Sequence, residues 1–156
     1  MAGKPILAHT LSVFESCGAV GEIILIVGEH ELEVAGDLVG RFGFAKVREI
    51  VSGGAQRQDS VAGGLRKVTH DIVAIHDAAR PMVTCEIIER SIEEADRIGA
   101  CIAAVPVIDT IKQGTGNREQ GTDLGPPLVT GTIDRSNLYS VQTPQTFRTE
   151  VIRSAF

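Results

Sequence analysis

The sequence predicts an α/β fold, with a mostly parallel sheet and helices on both of its faces. Three observations carry this. The stretches 22–27, 71–76 and 100–107 are near-continuous apolar runs, the pattern of strands covered on both faces. Between them lie segments whose apolar residues recur every three or four positions, as on one face of a helix. Strand and helix alternate in this way from residue 22 to residue 107, and right-handed crossovers join such units into a parallel sheet.

Each element has a local reason. Residues 5–17 read as a helix: Pro5 suits a first turn, Leu7, Leu11 and Phe14 share a face, and Gly18 ends it. After the strand 22–27, Gly28-Glu29-His30 turns into a helix that buries Ala35, Leu38, Val39 and Phe42. Residues 46–51 form a second strand. Gly53-Gly54 and a polar segment then lead into a helix carrying Val61, Leu65 and Val68. The strand 71–76 follows. Thr84 is the N-cap of a helix with Ile88, Ile92 and Ala95 inward, and 100–107 is another strand. From Ile108 the texture changes. Segments 109–112 and 129–133 are short and extended, and they flank a Gly/Pro/Asn-rich stretch, 113–127. They read as the legs of a hairpin arm with a long, mobile tip, spanning about 108–134 and suited to pairing with a second subunit. Thr143-Pro144-Gln145-Thr146-Phe147 reads as a loop fixed by its proline, and 148–156 as a short helix.

Composition bounds the function. The 156 residues suit one domain with a single core, at 43% hydrophobic and 22% charged. A net charge of −5 argues against a nucleic-acid surface but leaves room for a nucleotide held by a local arginine cluster. Cys17, Cys85 and Cys101 are far apart in sequence with no Cys-x-x-Cys pair, so neither a zinc site nor a disulfide framework is expected. No run approaches a membrane span and the start is no signal peptide, so the expected setting is the cytoplasm.

The candidate chemistry sits at strand ends. In Ile75-His76-Asp77-Ala78-Ala79-Arg80-Pro81 an apolar strand stops at an acid and a base, where open α/β sheets collect ligands. Asp77 and Arg80 stand there ready for an anion and a metal. Gly54, Arg57 and Ser60 lie between a strand and a helix, where helix amides and an arginine can hold a nucleotide. His76-Asp77 also invites a metal-hydrolase reading, with His30 or His70 as a further ligand. It ranks below the first, because such pairs belong on helices. His9, His30 and His70 otherwise read as surface or loop histidines. Lys112 and Arg135 fall on the two legs of the arm, where charged edges also discourage stray strand pairing.

Together, GGAQRQDSVAGGL (53–65), IHDAARP (75–81), AAVPVIDTIK (103–112) and TIDRSNLYSVQTPQTF (132–147) occur in this order. They closely resemble the 2-C-methyl-D-erythritol 4-phosphate cytidylyltransferases of non-mevalonate isoprenoid synthesis, and Gly3-Lys4-Pro5-Ile6-Leu7 looks like that family's first helix. The ribitol-5-phosphate cytidylyltransferases share several motifs and are the nearest competitor. The resemblance implies a Rossmann-like nucleotidyltransferase fold, a homodimer joined through the arm, and Mg²⁺-dependent attack of a sugar-alcohol phosphate on CTP. It implies that Gly54, Arg57, Ser60 and Ala78 contact CTP, and that Asp77, Arg80, Thr110 and Thr143 hold the methylerythritol phosphate. Asp77 would also serve the metal. Arg135 would reach across the dimer as the catalytic arginine that positions the attacking phosphate.

There are departures. Neither G-x-G-x-x-G nor G-x-x-x-x-G-K-[ST] occurs. The family's first strand, its Gly-rich loop and a C-terminal lysine-bearing segment are expected before residue 1 and after residue 156. Both ends therefore look cut, and Ala55 stands where some relatives have Asp. The expectation is a truncated domain that cannot complete catalysis alone, with an inactive nucleotide-binding or dimerisation module as the alternative.

Overall fold

The computed structural model describes residues 3–115 and 128–156. The elements run α1 (Ile6–Ser16), β1 (Ile23–Val27), α2 (Leu32–Phe42), β2 (Val47–Ser52), α3 (Arg57–Leu65), β3 (Ile72–Ile75), α4 (Cys85–Ile98), β4 (Ala100–Pro106), β5 (Ile111–Gly114), β6 (Val129–Ile133), β7 (Tyr139–Arg148) and α5 (Thr149–Arg153). The fold is α/β, as the alternation predicts. Two compact units are distinguished: the described residues up to Ala103 together with Thr143–Phe156, and those within Ala104–Gln142.

In the first unit β1 pairs in parallel with β2, from Ile23 opposite Val47 to Val27 opposite Ser52. β3, β7 and β4 form a second sheet in that order. Its β3–β7 ladder is antiparallel, Ile72 opposite Arg148 through Ile75 opposite Gln145. Parallel pairing is thus seen between β1 and β2 and antiparallel pairing between β3 and β7, and residues 143–147 belong to a strand where the sequence suggested a loop. Proline normally argues against an internal strand because it cannot donate to the ladder. Here Pro144, fully buried and after a cis peptide bond, precedes the four residues that pair with β3.

Two apolar clusters hold the layers together. Ala8 and Leu11 of α1, Leu25 of β1, Ala35 of α2 and Phe44 form one, with Leu38, Val39 and Phe42 packed against it. The helical periodicity named this buried face correctly. Phe14, Cys17, Val83 and Ile88 form the other, fastening α1 to the start of α4. Ile88 is completely buried, which stabilises the fold by about 1.5–3 kcal/mol for a side chain of this size. Helix ends follow the expected chemistry. The Thr84 hydroxyl accepts from Ile87 N, and α2 stops at Gly43, whose φ of 68° is left-handed. Lys46 Nζ donates to the Phe14 and Cys17 carbonyls at the end of α1. Val68 lies beyond α3, which ends at Leu65.

In the second unit β5 and β6 are antiparallel, with Ile111 opposite Ile133 and Lys112 opposite Thr132. The predicted legs pair, the second over 129–133 as expected and the first over 111–114 rather than 109–112. The proposed tip lies largely outside the described residues.

Candidate active site

The polar centre of the first unit is the turn that leaves β3. Asp77 O accepts from Arg80 N at 3.0 Å, closing a tight turn over Ala78 and Ala79. This brings the Arg80 Nε to 2.9 Å from Asp77 Oδ2. From the start of α3, Arg57 Nη2 reaches Asp77 Oδ1 at 3.2 Å. One carboxylate thus sits between two guanidiniums. Burial pushes its pKa up, but hydrogen bonds from Arg80 and Arg57 and their charges outweigh this and hold it below the usual range. All three side chains remain substantially exposed, so the arrangement contributes little to stability and leaves both arginines within reach of a phosphate.

Three groups fix this turn from behind. The Thr143 hydroxyl of β7 accepts from Asp77 N at 3.2 Å and lies 3.0 Å from His76 Nδ1. His76 Nε2 lies 3.1 Å from the Arg80 carbonyl. With neutral imidazole the donors and acceptors close in one way only: Nε2–H donates to Arg80 O, and the Thr143 hydroxyl donates to Nδ1. Burial pulls the His76 pKa down against the raising influence of the Arg80 carbonyl and the Asp77 charge. From α1, the Thr10 hydroxyl donates to Ala78 O at 2.7 Å, and the Phe14 ring stands 5.0 Å from the imidazole. The metal-hydrolase reading of His76 falls here, since both ring nitrogens are spent on holding the loop.

The segment 53–60 is built as tightly. Ser60 Oγ accepts from Gly54 N at 3.0 Å, and Asp59 accepts from Gln56 N at 3.0 Å, a reciprocal cap on α3. A Cβ on Gly54 would come 2.3 Å from the Asp59 Cβ. The glycine is therefore required first by the fold of its own loop. Its amide is turned toward Ser60.

Arg57, Ser60, His76, Asp77 and Ala78 line one end of a cleft of about 400 Å³. Its floor is apolar and includes Ile24, Ile26, Val73 and Ile75 from β1 and β3. Those strands pair with β2 and β7 respectively, and no described strand bridges them. Of the residues singled out in sequence, Gly54, Arg57, Ser60, Asp77, Ala78, Arg80 and Thr143 belong to this unit. Thr10 and His76 were missed as loop-positioning residues. A lone threonine on a helix gives no signal at all.

Thr110 and Arg135 belong to the second unit. Both are exposed, and the Arg135 guanidinium donates to the Ile108 carbonyl. Asp134 accepts from Ser136 N and Oγ, bonds that hold its carboxyl below the usual range.

Residues 1–156 match the family model described as 2-C-methyl-D-erythritol 4-phosphate cytidylyltransferase. The chain belongs to that family. Its relative of that name from Alkaliphilus oremlandii (strain OhILAs) is 48% identical over the whole of this chain. A solved 4-diphosphocytidyl-2C-methyl-D-erythritol synthase is 32% identical and superposes with a TM-score of 0.79 over 97% of this chain and 69% of its own. The cytidylyltransferase from Thermus thermophilus is 29% identical, with a TM-score of 0.73 over 98% of this chain and 65% of its own. The chain spans 64% of the length of the Alkaliphilus relative and 65% of one from Dehalococcoides mccartyi (strain CBDB1). No helix among the described residues is long and apolar enough to cross a membrane.

A divalent metal fits this turn in one respect. Mg²⁺ is commonly held by one or two carboxylates plus substrate phosphates, and Asp77 offers one carboxylate between two guanidiniums. No group of three or more potential ligands among the described residues includes Asp77.

Proposed function

We propose that the protein transfers a cytidylyl group from CTP to 2-C-methyl-D-erythritol 4-phosphate and releases pyrophosphate, as part of non-mevalonate isoprenoid precursor synthesis in the cytoplasm. The observation that carries this reading is the Asp77 carboxylate held between Arg57 and Arg80 at the end of β3, within the family's motifs. A phosphate oxygen of the acceptor attacks the α-phosphorus of CTP, and the bond to the pyrophosphate oxygen breaks. No covalent enzyme intermediate is needed, so catalysis is positioning together with neutralisation of phosphoryl charge.

Two anionic substrates resist approach, and arginine answers this with planar, bidentate hydrogen bonds. Arg57, Gly54, Ser60 and Ala78 face the nucleotide. Arg80 and Asp77 face the methylerythritol phosphate, each arginine exchanging part of its bond to Asp77 for a phosphate oxygen. Thr143 serves mainly by holding the Asp77 amide, since its hydroxyl already has two partners. Mg²⁺, bound through Asp77 and the phosphates, would neutralise charge on the nucleotide. Thr110 and Arg135 act from the arm, with Arg135 supplied to a second copy's site. The arm's Ile108, Leu128 and Val129 and the nearby Tyr139 of the same unit are 80%, 69%, 65% and 63% exposed, and apolar surface of this kind supports a homodimer.

Pyrophosphate release by the full-length enzyme from CTP and Mg²⁺, measured with each acceptor in turn, tests the reading. Methylerythritol 4-phosphate should support release at least about tenfold faster than ribitol 5-phosphate, the discrimination expected from about 1.4 kcal/mol of lost contacts. The opposite order would overturn the substrate, and no release with either acceptor would overturn the activity.

A further inference from the structure

Spacing along the chain offers no reason to join the cysteines, yet the fold brings two of them together. Cys17 caps the C-terminal end of α1 and is completely buried, and Cys85 is the first residue of α4 and half-buried. They are 68 residues apart, and their Sγ atoms lie 2.6 Å from each other. Glu89 Oε1, one turn along α4, stands 3.3 Å from the Cys85 Sγ. Phe14, Val83 and Ile88 pack around the pair and hold both backbones in place. Cys101 is not part of this group.

We propose that Cys17 and Cys85 are a modification site, forming a reversible disulfide that pins the end of α1 to the first turn of α4. This goes beyond the cytidylyl-transfer reading and does not depend on it. Two thiolates on one zinc ion, each at about 2.3 Å, would stand roughly 3.8 Å apart in tetrahedral geometry, whereas a disulfide needs about 2.05 Å. The observed spacing lies nearer the disulfide, and only a small rotation of either side chain separates the two states.

A low-molecular-weight disulfide such as oxidised glutathione supplies the oxidising equivalents. The accessible Cys85 loses its proton and attacks one sulfur of the oxidant, expelling the other half as a thiol. Cys17 then loses its proton and attacks the Cys85 Sγ, expelling the second half. Two protein thiols give up two electrons and two protons, and the oxidant becomes two thiols. The contact with Cys17, burial and the Glu89 carboxylate together push the Cys85 thiol up to about 12. Thiolate is therefore scarce at neutral pH, and closure is slow and accelerates as pH rises.

The bond would fasten the two supports of the Asp77 turn. α1 carries Thr10, which grips the Ala78 carbonyl, and α4 starts just after the turn ends.

The test is to equilibrate the 156-residue protein in mixtures of reduced and oxidised glutathione, quench with acid, and alkylate in denaturant with N-ethylmaleimide. Intact mass then counts adducts. Reduced protein should carry three adducts and oxidised protein one, on Cys101, with a Cys17–Cys85 linked peptide after digestion. Cys85→Ser should carry two under both conditions, and the linked peptide from the unaltered protein decides the matter even if that variant folds poorly. The closure rate should rise about tenfold per pH unit between about pH 7 and 10, following the thiolate fraction. Three adducts in every mixture, a lasting glutathione adduct on Cys85, or one zinc ion retained against dialysis and lost in Cys85→Ser would each overturn the proposal.

Discussion

The turn after β3 and the β5–β6 arm carry most of the candidate residues singled out in the sequence, and they are built in opposite ways. Around Asp77 the polar groups satisfy one another: Arg57, Arg80, His76, Thr143 and Thr10 form a closed set of hydrogen bonds on a buried base. On the arm, Thr110 and Arg135 are exposed, and large apolar side chains beside them face solvent. A saturated loop is preorganised and needs only an anion to displace one partner of each arginine. An arm with uncovered apolar surface and an exposed arginine has its interactions still to make.

The largest effect that would break this contrast comes from the arm. In the full-length enzyme, Arg135→Ala should lower pyrophosphate release by about 100-fold or more, the loss seen when one charge-stabilising donor is removed, while CTP affinity in equilibrium titration stays nearly unchanged. If Arg135 acts across a dimer, mixing this variant with Arg80→Ala should restore part of the rate, because some mixed dimers hold one intact site. No recovery on mixing would place Arg135 in its own subunit's site, and an unchanged rate for the single variant would remove the arm from the reaction.

A smaller effect sharpens the other side. Thr143→Val keeps the shape of a side chain that is 8% exposed but strands Asp77 N–H and His76 Nδ1. Denaturant unfolding should show a loss of about 1–3 kcal/mol, the cost of leaving buried polar groups unpaired. A loss within measurement error would mean that the turn does not depend on β7.

The smallest expected effect is in pH. The folded pKa of His76 is depressed from its ordinary 6.5, so the unfolded chain binds its proton first. Stability from the neutral ring is complete above pH 6.5 and declines as pH falls from there toward the folded value. NMR titration of the His76 ring should show the Nε2–H tautomer at about pH 7 and a midpoint below 6.5. A midpoint above that ordinary value would show that burial does not hold the ring neutral.

Much of this was legible in the residues. The periodicity of Leu7, Leu11 and Phe14, the run 22–27 and the Thr84 cap named α1, β1 and α4 within a residue or two. Strand β7 was not legible, because a proline inside a Thr- and Gln-rich segment reads as a break. It is a strand because β3 lends it a ladder beginning just after Pro144. In the site, Asp77 and Arg80 could be found from their place at a strand end, and Arg57 from its place after paired glycines. Their assembly around one carboxylate could not, since α3 packs on β1 and β2 while β3 pairs with β7, and only the folded chain brings Arg57 to Asp77.

The sequence by itself therefore determined the α/β class, the family and the residues that bear charge at strand ends, because these follow from local periodicity and from side-chain chemistry in order along the chain. Only the tertiary structure decided what those residues touch. It turned His76 from a candidate ligand into a brace, gave Gly54 a packing reason and recruited Thr10 from a helix 68 residues away. It also set Cys17 against Cys85. Contacts across such separations are fixed by the closing of the core, and a chain read in order carries no record of them.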